Sequence, residues 1–181
     1  MANVYANTDA GLTIFHSKNN ETMVNDITKN WRGVTLFCLP KNNLTIQEYS
    51  YLLTESKTYE SISSSHLLIF QTDSCIFKTI PGQYFEYDYV GAPWRHKVGN
   101  GCGNGGFSLR RRETMIKICK EHEFNRHPED VYFAHVENLK IPPKELQRAF
   151  SVDNIHHLDP VGCHQIMSRY LSSKLQSNNQ T

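Results

Sequence analysis

Val34-Thr35-Leu36-Phe37-Cys38-Leu39 is rich in β-branched and aromatic residues and is stopped by Pro40. The pattern predicts a strand. His66-Leu67-Leu68-Ile69-Phe70 is shorter and continuously apolar. Such a run reads as a strand covered on both faces, as in the middle of a parallel sheet. Between the two, Tyr49, Leu52, Leu53 and Tyr59 form a stripe that predicts a helix through 47–62. Strand, helix, strand predicts a βαβ unit with a right-handed crossover. The first 30 residues are weakly patterned. Val4-Tyr5 could end a short strand, Leu12 to Phe15 could form another or start a helix, and Met23, Val24 and Ile27 share one helical face before Gly33. Further on, Cys75-Ile76-Phe77 is extended, Pro81-Gly82 is a turn, and the glycines at 105–106 lead into a strand over 105–109. Helices follow near 111–122 and 130–139, with a turn of helix through 144–149. The expected architecture is α/β. Strands 34–39, 66–70 and 105–109 share one sheet, and helices near 48–61, 111–122 and 130–139 cover it. Residues 1–171 read as one domain and 172–181 as a polar tail that frays.

Composition narrows the classes. A chain of 181 residues with 39% hydrophobic content and a mean hydropathy of −0.52 fits one domain with a core. A formal charge of +1 gives no long-range attraction for nucleic acid or an anionic membrane. No apolar run approaches the roughly 20 residues that span a bilayer. The N-terminus lacks the basic start and apolar core of a signal peptide. Five scattered cysteines without CxxC spacing predict free thiols in a reducing compartment, hence a cytoplasmic protein.

Candidate chemistry starts at the end of the second strand. Gln71-Thr72-Asp73-Ser74 lies just past the strand's carboxyl end, where ligands collect in α/β sheets. Asp73 there could hold a divalent cation against a phosphate, or cap the next turn through its own backbone. Gly99 to Gly106 contains five glycines in eight residues, a costly run that needs a sharp turn or a close ligand. It could cradle an anion or form a flexible hairpin. Gly101-x-Gly103-x-x-Gly106 fits the dinucleotide fingerprint by letter, but it precedes a strand and not a helix. Glu129 and Asp130 open a helix; one could be a general base, or both could be a solvated terminus. Trp94 could stack on a sugar face. Arg110 could contact phosphate. His164, in a loop after Pro160-Val161-Gly162, is a potential ligand for a first-row metal.

Phe70-Gln71-Thr72-Asp73-Ser74, Tyr87 to Trp94, Gly103 to Arg110 and Glu129-Asp130-Val131-Tyr132-Phe133 occur in that order. Over residues 31–165 this combination resembles the DUF5672 family of glycosyltransferase-like proteins, found in giant viruses, bacteria and some eukaryotes. The resemblance implies a GT-A-like mixed sheet between helices and a metal-dependent transfer of sugar from a nucleotide sugar, most simply a UDP-sugar, to a glycan or protein acceptor. It implies Asp73 and His164 as ligands of Mn²⁺ or Mg²⁺, and Asp130 with Glu129 beside it as the base. Gln71, Thr72, Trp94, Asn104, Gly105, Gly106 and Arg110 would line the substrate site. Asp130 is expected to face the acceptor and Glu129 to face solvent or hold a loop. With only 30 poorly patterned residues before Trp31, the nucleotide-base unit reads as abbreviated, or as completed by a second copy in a homo-oligomer. For a viral member the host cytoplasm or the virion is the expected place. Two other readings stand beside it: an inactive glycan- or partner-binding module of the same fold, and a metal-dependent nuclease or phosphotransferase using Asp73, Asp130 and His164.

Overall fold

The computed structural model describes residues 10–165 together with Asn3, Ala6 and Thr8. The expected strand end at Val4-Tyr5, the domain boundary at 171 and the polar tail lie outside the described residues.

Strands β1 (Leu12–Ser17) and β2 (Val34–Leu39) pair in parallel, from Leu12 opposite Val34 to Ser17 opposite Leu39. Parallel neighbours need a crossover. A 3-10 turn (Lys18–Asn20) and helix α1 (Glu21–Thr28) supply it, and Val24 packs on Leu12 and Ile14. The turn is fixed by Asn20 Oδ1, which accepts from the Ser17 backbone at 2.8 Å and its hydroxyl at 3.1 Å. A strand–helix–strand unit therefore stands where the sequence pattern suggested an abbreviated start. The helical face read from Met23, Val24 and Ile27 is this helix, with Val24 turned inward while Met23 and Ile27 are 54% and 45% exposed.

The single helix expected through 47–62 is two: α2 (Ile46–Leu52) and α3 (Ser56–Glu60). Thr45 starts α2 with a reciprocal cap. The Glu48 backbone donates to Thr45 Oγ1 at 3.2 Å, and the Glu48 carboxylate accepts from the Thr45 backbone at 2.9 Å. At the break, Thr58 and Tyr59 donate their hydroxyls to the carbonyls of Leu52 and Leu53, at 2.6 and 2.7 Å. Those bonds satisfy carbonyls that a continuous helix would have used.

The expected common sheet is also corrected. Strand β3 (His66–Phe70) pairs antiparallel with β6 (Asn104–Arg111), and β6 pairs antiparallel with β5 (Tyr89–Ala92). Strand β2 pairs with β1 in a separate sheet, so 34–39 does not share the sheet of 66–70. A third small sheet is ordered β4 (Cys75–Ile76), β8 (Gly162–Cys163), β7 (Ser151–Val152). The described fold is thus mixed α/β, with small sheets flanked by helices.

Alternation along the central strands builds two cores. Leu67, Tyr89 and their neighbours pack with Met115 and Ile118 of α4 (Arg112–Glu121) and Phe133 of α5 (Glu129–Ala134). Val90, Phe107 and Leu109 face the other way, onto Tyr84, Val161 and Phe150 of α6 (Lys144–Phe150). Helix α5 stops well short of 139. Asn100 donates its backbone N–H to Ala134 O at 2.7 Å and its side-chain amide to Phe133 O and Val136 O at 3.0 and 2.9 Å. Much of the glycine run is therefore a plug on the end of a helix and not a ligand cradle. Gly99, Gly101 and Gly103 take positive φ in that plug.

Candidate functional site

Strand β3 ends into a tight turn. The Gln71 backbone donates to Gly106 O at 2.9 Å, the Ser74 backbone donates to Gln71 O at 3.0 Å, and the Ser74 hydroxyl donates to Gly106 O at 2.9 Å. The turn's side-chain bond is made by buried Ser74, which leaves Asp73 at the tip with its side chain 48% exposed. From the far end of the chain, His164 donates its backbone N–H to Val152 O at 3.0 Å and lays its ring over Gly106. Its Nε2 lies 2.9 Å from Gln71 Oε1 and 3.6 Å from Asp73 Oδ1. The Gln71 contact assigns the proton to Nε2, which leaves Nδ1 as a buried atom with no partner among the described residues. Gln71 and Asp73, in one turn, thus lie beside His164 from the far end of the chain.

Gly106 is required by this packing. A Cβ there would sit 2.4 Å from two atoms of the His164 imidazole. Gly106→Ala is therefore expected to cost about 1–3 kcal/mol by overpacking, read as a fall in the urea midpoint. Gly82→Ala, where an added Cβ meets nothing within 4 Å, is the control and should leave the midpoint near that of the parent.

A cleft of about 1210 Å³ opens beside this cluster. Its apolar walls come from β1 and β3, and its polar end gathers Gln71, Asn104, Asp130 and His164. Thr72, Gly106 and Glu129 also line it. Asn104 Oδ1 accepts from the Gly106 backbone at 2.8 Å, so its amide group is held in place. Asp130 accepts from the Val131 backbone at 2.8 Å and from the Gly105 backbone at 3.3 Å. Burial, then the nearby Glu129 charge, raises its carboxyl above the usual range despite those two donors.

Arg110, Glu129, Gly105 and Trp94 do not stand as expected. Arg110 is not a substrate contact: its side chain is 0% exposed and it lies behind the cleft. It donates to Glu129 Oε1 at 2.7 Å, to the hydroxyls of Tyr59 and Tyr89 at 3.1 and 3.2 Å, and from Nε to Ser108 Oγ at 3.0 Å. Its guanidinium also lies 4.7 Å from the Tyr89 ring centroid. Glu129 does not face solvent but is buried in this ion pair. Gly105 belongs to the same wall, because a Cβ there would meet Glu129 Oε1 at 1.9 Å. Trp94 packs on the core beside Tyr89 and Phe133, away from the cleft lining. Conversely, the cleft includes Tyr49, which sequence analysis placed only in a helical stripe. Its phenol interacts with the Gln71 amide, and burial first, then the Glu129 charge, raises its pKa, keeping it an O–H donor. Nothing in local sequence separates it from the packing tyrosines around it.

Asp73 and His164 fit a divalent cation as a two-residue, open site. Ligand atoms about 2.0–2.3 Å from one ion can span their 3.6 Å separation. His164 would then present Nε2 as a lone pair and carry its proton on Nδ1. Among the described residues, no group of three or more His, Cys, Asp or Glu side chains converges on a metal position. Further ligands would have to come from a substrate and water, the usual arrangement where a cation engages phosphates.

The fold and site define a mixed α/β protein with an open cleft, apolar along its walls and polar at the strand ends. The chain belongs to the DUF5672 family, described as a protein of unknown function, whose model matches residues 33–164. That span includes every polar residue of the cleft end and starts after β1 and α1. No curated protein and no solved structure matches the chain. No helix among the described residues is long and apolar enough to cross a membrane.

Proposed function

We propose that this chain is a glycosyltransferase that moves a sugar from a nucleotide-sugar donor to an acceptor hydroxyl, within a GT-A-like fold. The observation that carries the reading is that Gln71, Asp130 and His164 line one end of one cleft, with the Asp73 carboxylate 3.6 Å from His164 Nε2. Asp130 takes the proton of the acceptor hydroxyl as that oxygen bonds to the anomeric carbon. The bond from that carbon to the diphosphate oxygen breaks, and the nucleoside diphosphate leaves with the electron pair. A carboxylate raised by burial is a stronger base than a solvated one, which suits this role. Asp73 and His164 would hold the divalent cation, Mn²⁺ or Mg²⁺. Such an ion neutralises charge on a leaving diphosphate. The Asn104 amide group would orient the sugar, with Gln71, Thr72 and Gly106 lining its site.

The test is binding of UDP-, GDP- and CMP-sugars by calorimetry with and without Mn²⁺, followed by mass detection of the glycosylated acceptor. Cation-dependent binding of one donor and transfer from it are expected. Glycan binding without any donor binding would replace the reading with that of a binding module, and cation-dependent cleavage of DNA or RNA with that of a nuclease. Asp73→Asn should weaken Mn²⁺-dependent diphosphate binding by at least about tenfold, since it removes an anionic ligand. Unchanged affinity would remove Asp73 from the cation site.

A further inference from the structure

We propose that Cys75 and Cys163 form a reversible oxidation site, closing to a disulfide that staples β4 to β8. The two residues are directly opposed in the antiparallel β4–β8 pair. Opposed Cα atoms in such a ladder stand about 4.5–5.5 Å apart. A disulfide needs about 4.4–6.8 Å. Cross-strand partners also present their side chains on the same face. Here Cys75 packs on a small cluster of Cys163 and Val152. Both are free thiols. β4 is a two-residue strand at the edge of its sheet.

The two cysteines differ in access. Cys75 is half-buried, whereas Cys163 is 3% exposed. A small oxidant such as hydrogen peroxide therefore meets Cys75 first. Attack of its sulfur on the peroxide O–O bond gives a sulfenic acid and one water. The Cys163 sulfur then displaces that hydroxyl, forming the S–S bond and a second water. Two thiols lose two electrons, and one peroxide is reduced to two waters. A dithiol reverses the step by exchange. Asp73 lies two residues before Cys75, and His164 directly follows Cys163. The bond would therefore fix the two segments that carry these residues. The inference itself does not rest on the transferase reading.

The experiment exposes the reduced full chain to a small excess of hydrogen peroxide, quenches it with iodoacetamide, and maps non-reduced peptides by mass spectrometry. Two of the five thiols should escape alkylation, with a loss of about 2 Da and a linked Cys75–Cys163 peptide. Closing a loop of about 90 residues should raise the melting temperature by about 5–10 °C, reversed by dithiothreitol. Cys163→Ser should leave Cys75 as a sulfenic acid that dimedone traps. Oxidation of Cys75 to sulfinic acid in the parent chain without a link would overturn the proposal. So would preferential linkage of either cysteine to a different partner.

Discussion

Arg110→Ala is expected to destabilise the protein by about 3–5 kcal/mol, because it leaves the Glu129 carboxylate buried without its counter-ion. Against a typical total of about 5–15 kcal/mol, that is a large fraction. For a chain of this length it corresponds to a fall in melting temperature of roughly 6–20 °C. The loss has several parts. The guanidinium serves Glu129, Tyr59, Tyr89 and Ser108 at once, and it also packs on the rings of Tyr89 and Phe133. Burial raises the pKa of both tyrosines, so both remain protonated and offer Arg110 lone pairs at neutral pH. Differential scanning calorimetry of Arg110→Ala and of Arg110→Met with Glu129→Gln separates the causes. The double variant removes both charges and should recover part of the loss. A single variant that melts with the parent would show that the pair contributes nothing to stability.

Strand positions were legible where side-chain chemistry is local. The run Val34 to Leu39 is a strand with the expected bounds, and His66 to Phe70 is another. Pairing was not legible. A continuous apolar run reports that both faces of a strand are covered, but it says nothing about the direction of its neighbour. So β3 read as a parallel strand, whereas its partner β6 runs antiparallel. The run Arg110-Arg111-Arg112 shows the same limit. Successive positions at a strand end point apart, so Arg110 enters the core while Arg111 donates to Asp88 Oδ1 at 3.1 Å. The meeting of Asp73 with His164 came from the family pattern, since 91 positions separate the two in the sequence. Tyr49 stayed hidden because its role depends on where Gln71 points, which no local pattern encodes.

Asp130 carries the other large effect. Asp130→Asn keeps the side-chain volume and removes the proton acceptor, so turnover on the true acceptor should fall by roughly 10²–10⁴-fold. Donor affinity should barely change. Stability should behave in the opposite sense from Arg110→Ala. The Asp130 carboxyl is raised in the folded state by burial and by Glu129. The folded protein therefore holds that proton more tightly than the unfolded chain, whose aspartates titrate near about 3.9. The stabilising contribution of the protonated form is complete below that value and is lost as pH rises through the folded pKa, so ionised Asp130 is a cost at neutral pH. Asparagine removes that cost. It loses at most one acceptor for the Val131 and Gly105 N–H groups, about 1 kcal/mol. The variant should thus melt at or above the parent temperature while losing turnover. The acidic limb of the kcat/KM profile, which the parent should show above the ordinary aspartate range, should disappear with it. Glu129→Gln is the contrast: it weakens the ion pair to Arg110 and should lower the melting temperature while keeping that limb. Near-parent turnover in Asp130→Asn would remove Asp130 as the base, and loss of the limb in Glu129→Gln alone would move the role to its neighbour.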